Sequence, residues 1–173
     1  MRVQDIRDRL RAHGANARHA QRVLRLWSQA LPQETGRRLI ADFLPASLRA
    51  QLPQLVGELE DLARLRSEHP SADGSVRLLV DLADGQTVES VLLPRGGLCV
   101  SSQVGCAVGC VFCMTGREGL LRQLGSAEIV AQVVLARSRR PVNKVVFMGM
   151  GEPAHNLDNV LEAIELLGTA GNI

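Results

Sequence analysis

The chain has 173 residues, a formal net charge of +2, 46% hydrophobic and 22% charged residues, the composition of a packed globular chain rather than a disordered or fibrous one. Aromatic residues make up only 2%, so aliphatic side chains must form most of the core. No apolar run approaches the length of a membrane span, and Met1-Arg2-Val3-Gln4-Asp5 lacks the basic-then-apolar order of a secretory signal, so the expectation is a cytoplasmic protein with no membrane partner.

Residues 1–70 read as helical. The clearest helix covers roughly 16–31, with Ala20, Val23, Leu24, Trp27 and Leu31 at helical spacing on one face and Arg18, Arg22 and Arg25 on the other. Pro32, Pro45 and Pro53 punctuate shorter helices after it. Residues 1–50 hold ten arginines (2, 7, 9, 11, 18, 22, 25, 37, 38 and 49) against Asp5, Asp8, Glu34 and Asp42, so this stretch is +6. Its arginine stripe is either a solvated helix face or a contact to a nucleic-acid backbone.

The period then changes. Residues 76–82 and 87–93 read as two strands, with Ala83-Asp84-Gly85-Gln86 as the hairpin turn and Gly85 where positive φ is needed. From residue 98 the order is strand, loop, helix, strand, helix. Leu98-Cys99-Val100-Ser101-Ser102 is a short strand, and Ser126 is placed to cap a helix with Ile129, Val130, Val133 and Val134 inward. Val145-Val146-Phe147-Met148 reads as a buried parallel strand. Asn156 is placed to cap a helix with Leu157, Val160, Leu161, Ile164 and Leu167 on its core face. The predicted organisation is a helical accessory segment over 1–70 able to contact RNA, a β-hairpin extension over 71–97, and the start of an α/β core over 98–173. Two βα units cannot close a barrel, so the sequence reads as a fragment of a longer chain.

All four cysteines lie between positions 99 and 113, a crowding that suggests a metal or redox site rather than a disulfide scaffold. Gly105-Cys106-Ala107-Val108-Gly109-Cys110-Val111-Phe112-Cys113 places three of them at C-x3-C-x2-C spacing. Three thiolates in one loop can hold three irons of a four-iron cluster and leave the fourth open to a small ligand, whereas complete protein ligation takes four cysteines. Gly105 and Gly109 would let the backbone wrap closely. Zinc with His155 as fourth ligand is the competing reading, although zinc sites usually pair two separate knuckles.

The C-x3-C-x2-C spacing with Phe112 before the last cysteine resembles the signature of radical S-adenosylmethionine enzymes. Residues 98–106, Phe112-Cys113-Met114-Thr115-Gly116-Arg117-Glu118-Gly119, Glu128-Ile129-Val130-Ala131-Gln132-Val133 and Val146-Phe147-Met148-Gly149-Met150-Gly151-Glu152-Pro153 are similar to the dual-specificity ribosomal and transfer RNA adenine carbon-2 methyltransferases of that group. Close relatives of those enzymes methylate carbon 8. The resemblance covers about residues 75–173; over 1–74 the family's basic phenylalanine-arginine-alanine-lysine-glutamine stretch has no clear counterpart.

What the resemblance implies is specific. The fold would be an N-terminal helical domain and β-hairpin followed by the first units of a partial radical-SAM (βα) barrel. A [4Fe-4S] cluster would sit on Cys106, Cys110 and Cys113, and Gly151 and Glu152 would bind S-adenosyl-L-methionine. Glu89 would match the family's proton acceptor, and Cys99 the thiol that releases a covalent protein–RNA adduct by forming a disulfide with a methyl-carrying cysteine. That second cysteine has no counterpart here, since none follows Cys113. Carbon 2 of adenine lies between two electron-withdrawing nitrogens and is not nucleophilic, so its methylation calls for radical chemistry from a cofactor. The implied partners are ribosomal or transfer RNA and an electron donor such as flavodoxin. A carbon-8 methyltransferase and a noncatalytic iron–sulfur or zinc RNA-binding module remain alternatives.

Overall fold

Asn16 opens the best-defined N-terminal helix reciprocally: its side chain accepts from the His19 N–H at 3.0 Å, and the His19 ring accepts from the Asn16 N–H at 3.2 Å. The computed structural model describes residues 1–36 and 40–173; Arg37 and Arg38 of the arginine-rich stretch lie outside the described residues. Helix α1 spans Val3–Ala12, α2 Ala17–Ser28, α3 Ile40–Phe43 and α4 Ala46–Glu60. Helix α2 buries Ala20, Val23, Leu24 and Trp27 as its spacing requires, but it ends at Ser28, so Leu31 falls outside it and is 39% exposed.

The arginine stripe of α2 divides on folding. Arg18 and Arg25 are exposed. Arg22 instead folds back over the Phe43 ring, with its guanidinium carbon 5.3 Å from the ring centroid, and donates to the carbonyls of Gln33 and Thr35. Other arginines of the stretch meet carboxylates across the fold: Arg2 and Arg7 reach Glu162 and Glu165, and Arg9 reaches Glu58. Four of the described arginines of this stretch, Arg2, Arg7, Arg9 and Arg22, are thus engaged within the fold, while Arg18, Arg25 and Arg49 are exposed.

Strands β1 (Arg64–Pro70), β2 (Val76–Asp81), β3 (Thr87–Leu93), β4 (Gly97–Cys99) and β7 (Lys144–Val146) form one sheet in the order β1-β2-β3-β4-β7. The β2–β3 hairpin follows the sequence reading, closed by the Leu82 N–H on the Gln86 carbonyl at 2.8 Å with Gly85 at φ 82°. Strand β1 corrects it: Arg64–Pro70 is an antiparallel edge strand rather than helix. Its arginines, glutamate and histidine keep the edge polar, a common protection against unwanted pairing. Three pairings are antiparallel and only β4–β7 is parallel, so the sheet is mixed and does not close into a barrel among the described residues. A second, two-stranded sheet joins β5 (Gln103–Gly105) to β6 (Leu120–Gln123).

Helix α5 (Ser126–Arg137) packs against one face of the large sheet, where its Gln132 Oε1 accepts from the Ser90 hydroxyl of β3 at 2.8 Å, and α6 (Leu157–Thr169) packs on α5. Three expectations change here. Ser126 is the first residue of α5 rather than its cap: its hydroxyl accepts from the Val3 N–H, while the Glu128 carboxylate accepts from the Gly125 N–H at 2.7 Å. Asn156 precedes α6 but its side chain does not cap it; the amide donates to the carbonyls of Ser102 and Leu124, both at 2.8 Å. Helix α6 buries Val160, Ala163, Leu166 and Leu167, leaving Leu157, Leu161 and Ile164 exposed. Two apolar stripes share this helix at helical spacing, and periodicity alone cannot choose between them. Strand β7 is likewise half-buried and ends at Val146, with Met148 80% exposed. No helix among the described residues is long and apolar enough to cross a membrane.

Candidate active site

The cysteine loop is the connection of the β5–β6 hairpin. Its base is closed where the Cys106 N–H donates to the Gly119 carbonyl at 3.0 Å, and the chain between turns back on itself through the Cys113 N–H to Cys110 carbonyl bond, also 3.0 Å. Gly105 and Gly109 hold φ of 75° and 66°, the left-handed conformations expected of a tightly wrapped loop. Cys110 is exposed, Cys106 and Cys113 are partly exposed, and no disulfide joins them. Phe112 stands at the tip, 88% exposed.

One thiol of the loop, that of Cys113, is surrounded by donors that favour its ionised form. N–H groups of Thr115 and Gly116 and the Thr115 hydroxyl point at the Cys113 sulfur and hold its pKa below the usual thiol value. Sequence reasoning missed Thr115, because nothing in its position shows that its donors turn toward the preceding thiol. No group of three or more His, Cys, Asp or Glu side chains among the described residues converges tightly enough to hold a single metal ion. His155 is exposed and is not gathered with the cysteines into such a site. This donor set, three thiols spread along one solvent-facing loop, fits a polynuclear cluster better than a lone ion, because each thiolate of a cluster meets a different metal atom.

Gly151 and Glu152 follow β7 in a loop that runs beside the segment entering the cysteine loop. Residues 100–103 and 146–150 zip together: the Val100 N–H donates to Val146, the Gly149 N–H to Val100, and the Ser102 N–H to Met150, at 2.9, 3.1 and 2.9 Å. Gly151 has φ 100°, and a Cβ there would lie 2.5 Å from the Gln103 Cβ. Glu152 is partly exposed and one of its oxygens accepts from the Ala154 N–H at 3.0 Å, which orients the carboxylate.

Cys99 and Glu89 lie on the sheet face opposite the one that Ser90 turns to α5. Cys99 pairs with Val91 across β3–β4, and Glu89 stands two residues from Val91 on the same face, a diagonal cross-strand position. Glu89 pairs with Arg77 at 3.3 Å. Cys99 is buried, and burial pushes its thiol pKa up, partly offset by the Met148 N–H at its sulfur.

Residues 100–172 match the family model described as the Radical SAM superfamily. That segment contains the cysteine loop and the Gly151-Glu152 loop. The whole chain is 75% identical over 173 residues to a protein of Azoarcus sp. strain BH72, and 72% identical to one of Leptothrix cholodnii, each titled "Probable RNA methyltransferase"; it covers 100% of this chain and 50% of each relative. A crystal structure of a radical SAM methyltransferase from Sphaerobacter thermophilus superposes with a TM-score of 0.72 at 35% identity, over 96% of this chain and 50% of that one. The chain thus spans about half the length of the relatives it matches. The likeness to these relatives extends well beyond residues 100–172, taking in the N-terminal helices and the β1–β3 strands.

Proposed function

We propose that this protein is a radical S-adenosylmethionine RNA methyltransferase that places a methyl group on an adenine ring carbon, carbon 2, of ribosomal or transfer RNA. The observation that carries the reading is the arrangement of one short hairpin: Cys106, Cys110 and Cys113 share its connecting loop, and the Gly151-Glu152 loop is hydrogen-bonded to its base. A reduced [4Fe-4S] cluster on those three thiolates, supplied with electrons by a donor such as flavodoxin, would provide the one-electron chemistry that carbon 2 demands.

The residues of the chain divide the remaining work. Thr115 and Gly116 stabilise charge on the Cys113 sulfur. Glu152, held by the Ala154 N–H, presents a carboxylate that accepts hydrogen bonds from the ammonium group of S-adenosylmethionine. Once Glu89, diagonal to Cys99 on the same sheet face, has taken the proton from the substrate carbon, the Cys99 thiolate would attack the sulfur of a methyl-carrying cysteine that has no counterpart among these residues; the S–S bond forms as the sulfur–carbon bond to the RNA breaks, and the released carbon takes the electron pair and a proton to become the methyl group.

Two results test this reading. Glu152→Gln should weaken S-adenosylmethionine binding about tenfold or more, the loss of a charge-assisted hydrogen bond, at unchanged iron content; equilibrium dialysis beside iron analysis measures both. Arg18→Gln with Arg25→Gln should flatten the salt dependence of RNA affinity, each lost phosphate contact lowering the slope by about 0.7–0.9. Filter binding across a salt series reads the slope, and Arg22→Gln should act instead on the thermal midpoint, because Arg22 holds Gln33, Thr35 and Phe43.

A further inference from the structure

A chain of amide hydrogen bonds runs through the base of the cysteine-bearing hairpin. Gln103 is fully buried in β5, and its Oε1 accepts from the Glu152 N–H at 2.7 Å. Because that backbone group can only donate, the Gln103 oxygen must face it, and the Gln103 amide nitrogen must face the other way. There it donates to Gln123 Oε1 at 2.8 Å, which in turn commits the Gln123 nitrogen to the His155 carbonyl, also at 2.8 Å. Gln103 and Gln123 are register partners of β5 and β6. The pair therefore grips the 152–155 turn at both ends, and the His155 N–H closes the ring on the Glu152 carbonyl at 3.0 Å.

The same hairpin carries the cysteine loop beyond this pair. From Gln103 only Val104 and Gly105 separate the clamp from Cys106 on one strand, and Cys113 lies within the loop the hairpin closes. The absence of a side chain at Gly151 is what lets Gln103 approach, since a Cβ would lie 2.5 and 2.6 Å from its Cβ and Cγ. Such contact would displace Gln103 or the loop it holds.

We infer that Gln103, backed by Gln123, is a positioning residue that fixes the Glu152 loop in register with the cysteine loop, so that one rigid hairpin aligns both halves of the cofactor site. The inference rests on the assignment of Glu152 to S-adenosylmethionine given above. Gln103 touches no reacting atom; it acts through the Glu152 backbone.

The test compares Gln103→Leu, Gln103→Glu and Glu152→Gln in the chain loaded anaerobically with iron and sulfide. Amide hydrogen exchange over 149–156 and over the 76–93 hairpin is read beside the S-adenosylmethionine dissociation constant and iron content. Gln103→Leu should speed exchange over 149–156 and raise the dissociation constant, each about tenfold for a lost buried hydrogen bond, with iron content and exchange over 76–93 at parental values. Gln103→Glu keeps an oxygen opposite the Glu152 N–H but has no N–H for the Gln123 oxygen, so it should speed exchange over 149–156 less than Gln103→Leu does. Glu152→Gln should lose affinity without faster exchange. Parental exchange and affinity in Gln103→Leu, beside weakened binding in Glu152→Gln, overturns the positioning role alone. Parental binding in Glu152→Gln overturns the cofactor assignment and the positioning role together. Should Gln103→Leu not fold, Gln123→Leu decides, because it removes both the acceptor of the Gln103 amide and the donor to the His155 carbonyl: faster exchange over 149–156 supports the clamp, and parental exchange there overturns it.

Discussion

Replacing any one of Cys106, Cys110 or Cys113 with Ala should abolish stable cluster incorporation rather than reduce it by a third. In the proposed site each thiolate would be one of only three protein anchors, and a cluster already short of a fourth cysteine would have no spare ligand to recruit. The nearest other thiol, Cys99, is buried in β4 between β3 and β7, and burial keeps its pKa above the ordinary value, so it cannot stand in. Iron and sulfide analysis after anaerobic reconstitution should fall to background in all three variants, with circular dichroism unchanged because the loop is exposed and contributes little to the core. Parental iron in any one of the three would remove that cysteine from the ligand set.

Gly105→Ala should be the most damaging small substitution in the hairpin. At φ 75° any residue with a side chain is strained, and an added methyl would lie 2.1 Å from the Gly119 carbonyl oxygen. That same oxygen accepts the Cys106 N–H and closes the base of the cysteine loop, so relief of the clash breaks the bond that shapes the loop. Strain and overpacking together should cost about 2–5 kcal/mol. Gly74 is the control: its φ is 82°, but nothing lies within 4 Å of the Cβ position. Gly74→Ala should therefore cost only the left-handed conformation, about 1–2 kcal/mol. Urea unfolding of the two variants separates space from backbone strain, and equal destabilisation would show that the loop base yields.

Much of this was legible before folding because it is written locally. The β2–β3 hairpin announces itself through alternation around Gly85, and the cysteine spacing around Gly105 and Gly109 defines a wrapped loop regardless of what surrounds it. Strand β1 was not legible, because its charged alternation resembles a solvated helix end and only pairing with β2 makes it a strand. The buried face of α6 was ambiguous for a different reason: Leu157, Leu161 and Ile164 keep helical spacing as faithfully as Val160, Ala163 and Leu167, and packing on α5 selects the latter. Gln103 and Gln123 carried no signal, since a polar side chain in a short strand reads as surface until its partners are known. Arg22 shows the converse, a residue with the spacing of a ligand-binding stripe that the fold uses to hold its own loop.

In the proposed site the hairpin loop would hold a four-iron cluster with one iron open to S-adenosylmethionine. Electron paramagnetic resonance of the anaerobically reconstituted, reduced chain, recorded before and after S-adenosylmethionine is added, tests it most directly. The reconstituted chain should hold about four irons and give a reduced-cluster signal whose g values shift on adding S-adenosylmethionine, and Glu152→Gln should lose that shift. A colourless protein binding one zinc per chain, or a cluster signal indifferent to S-adenosylmethionine, would contradict the proposed site.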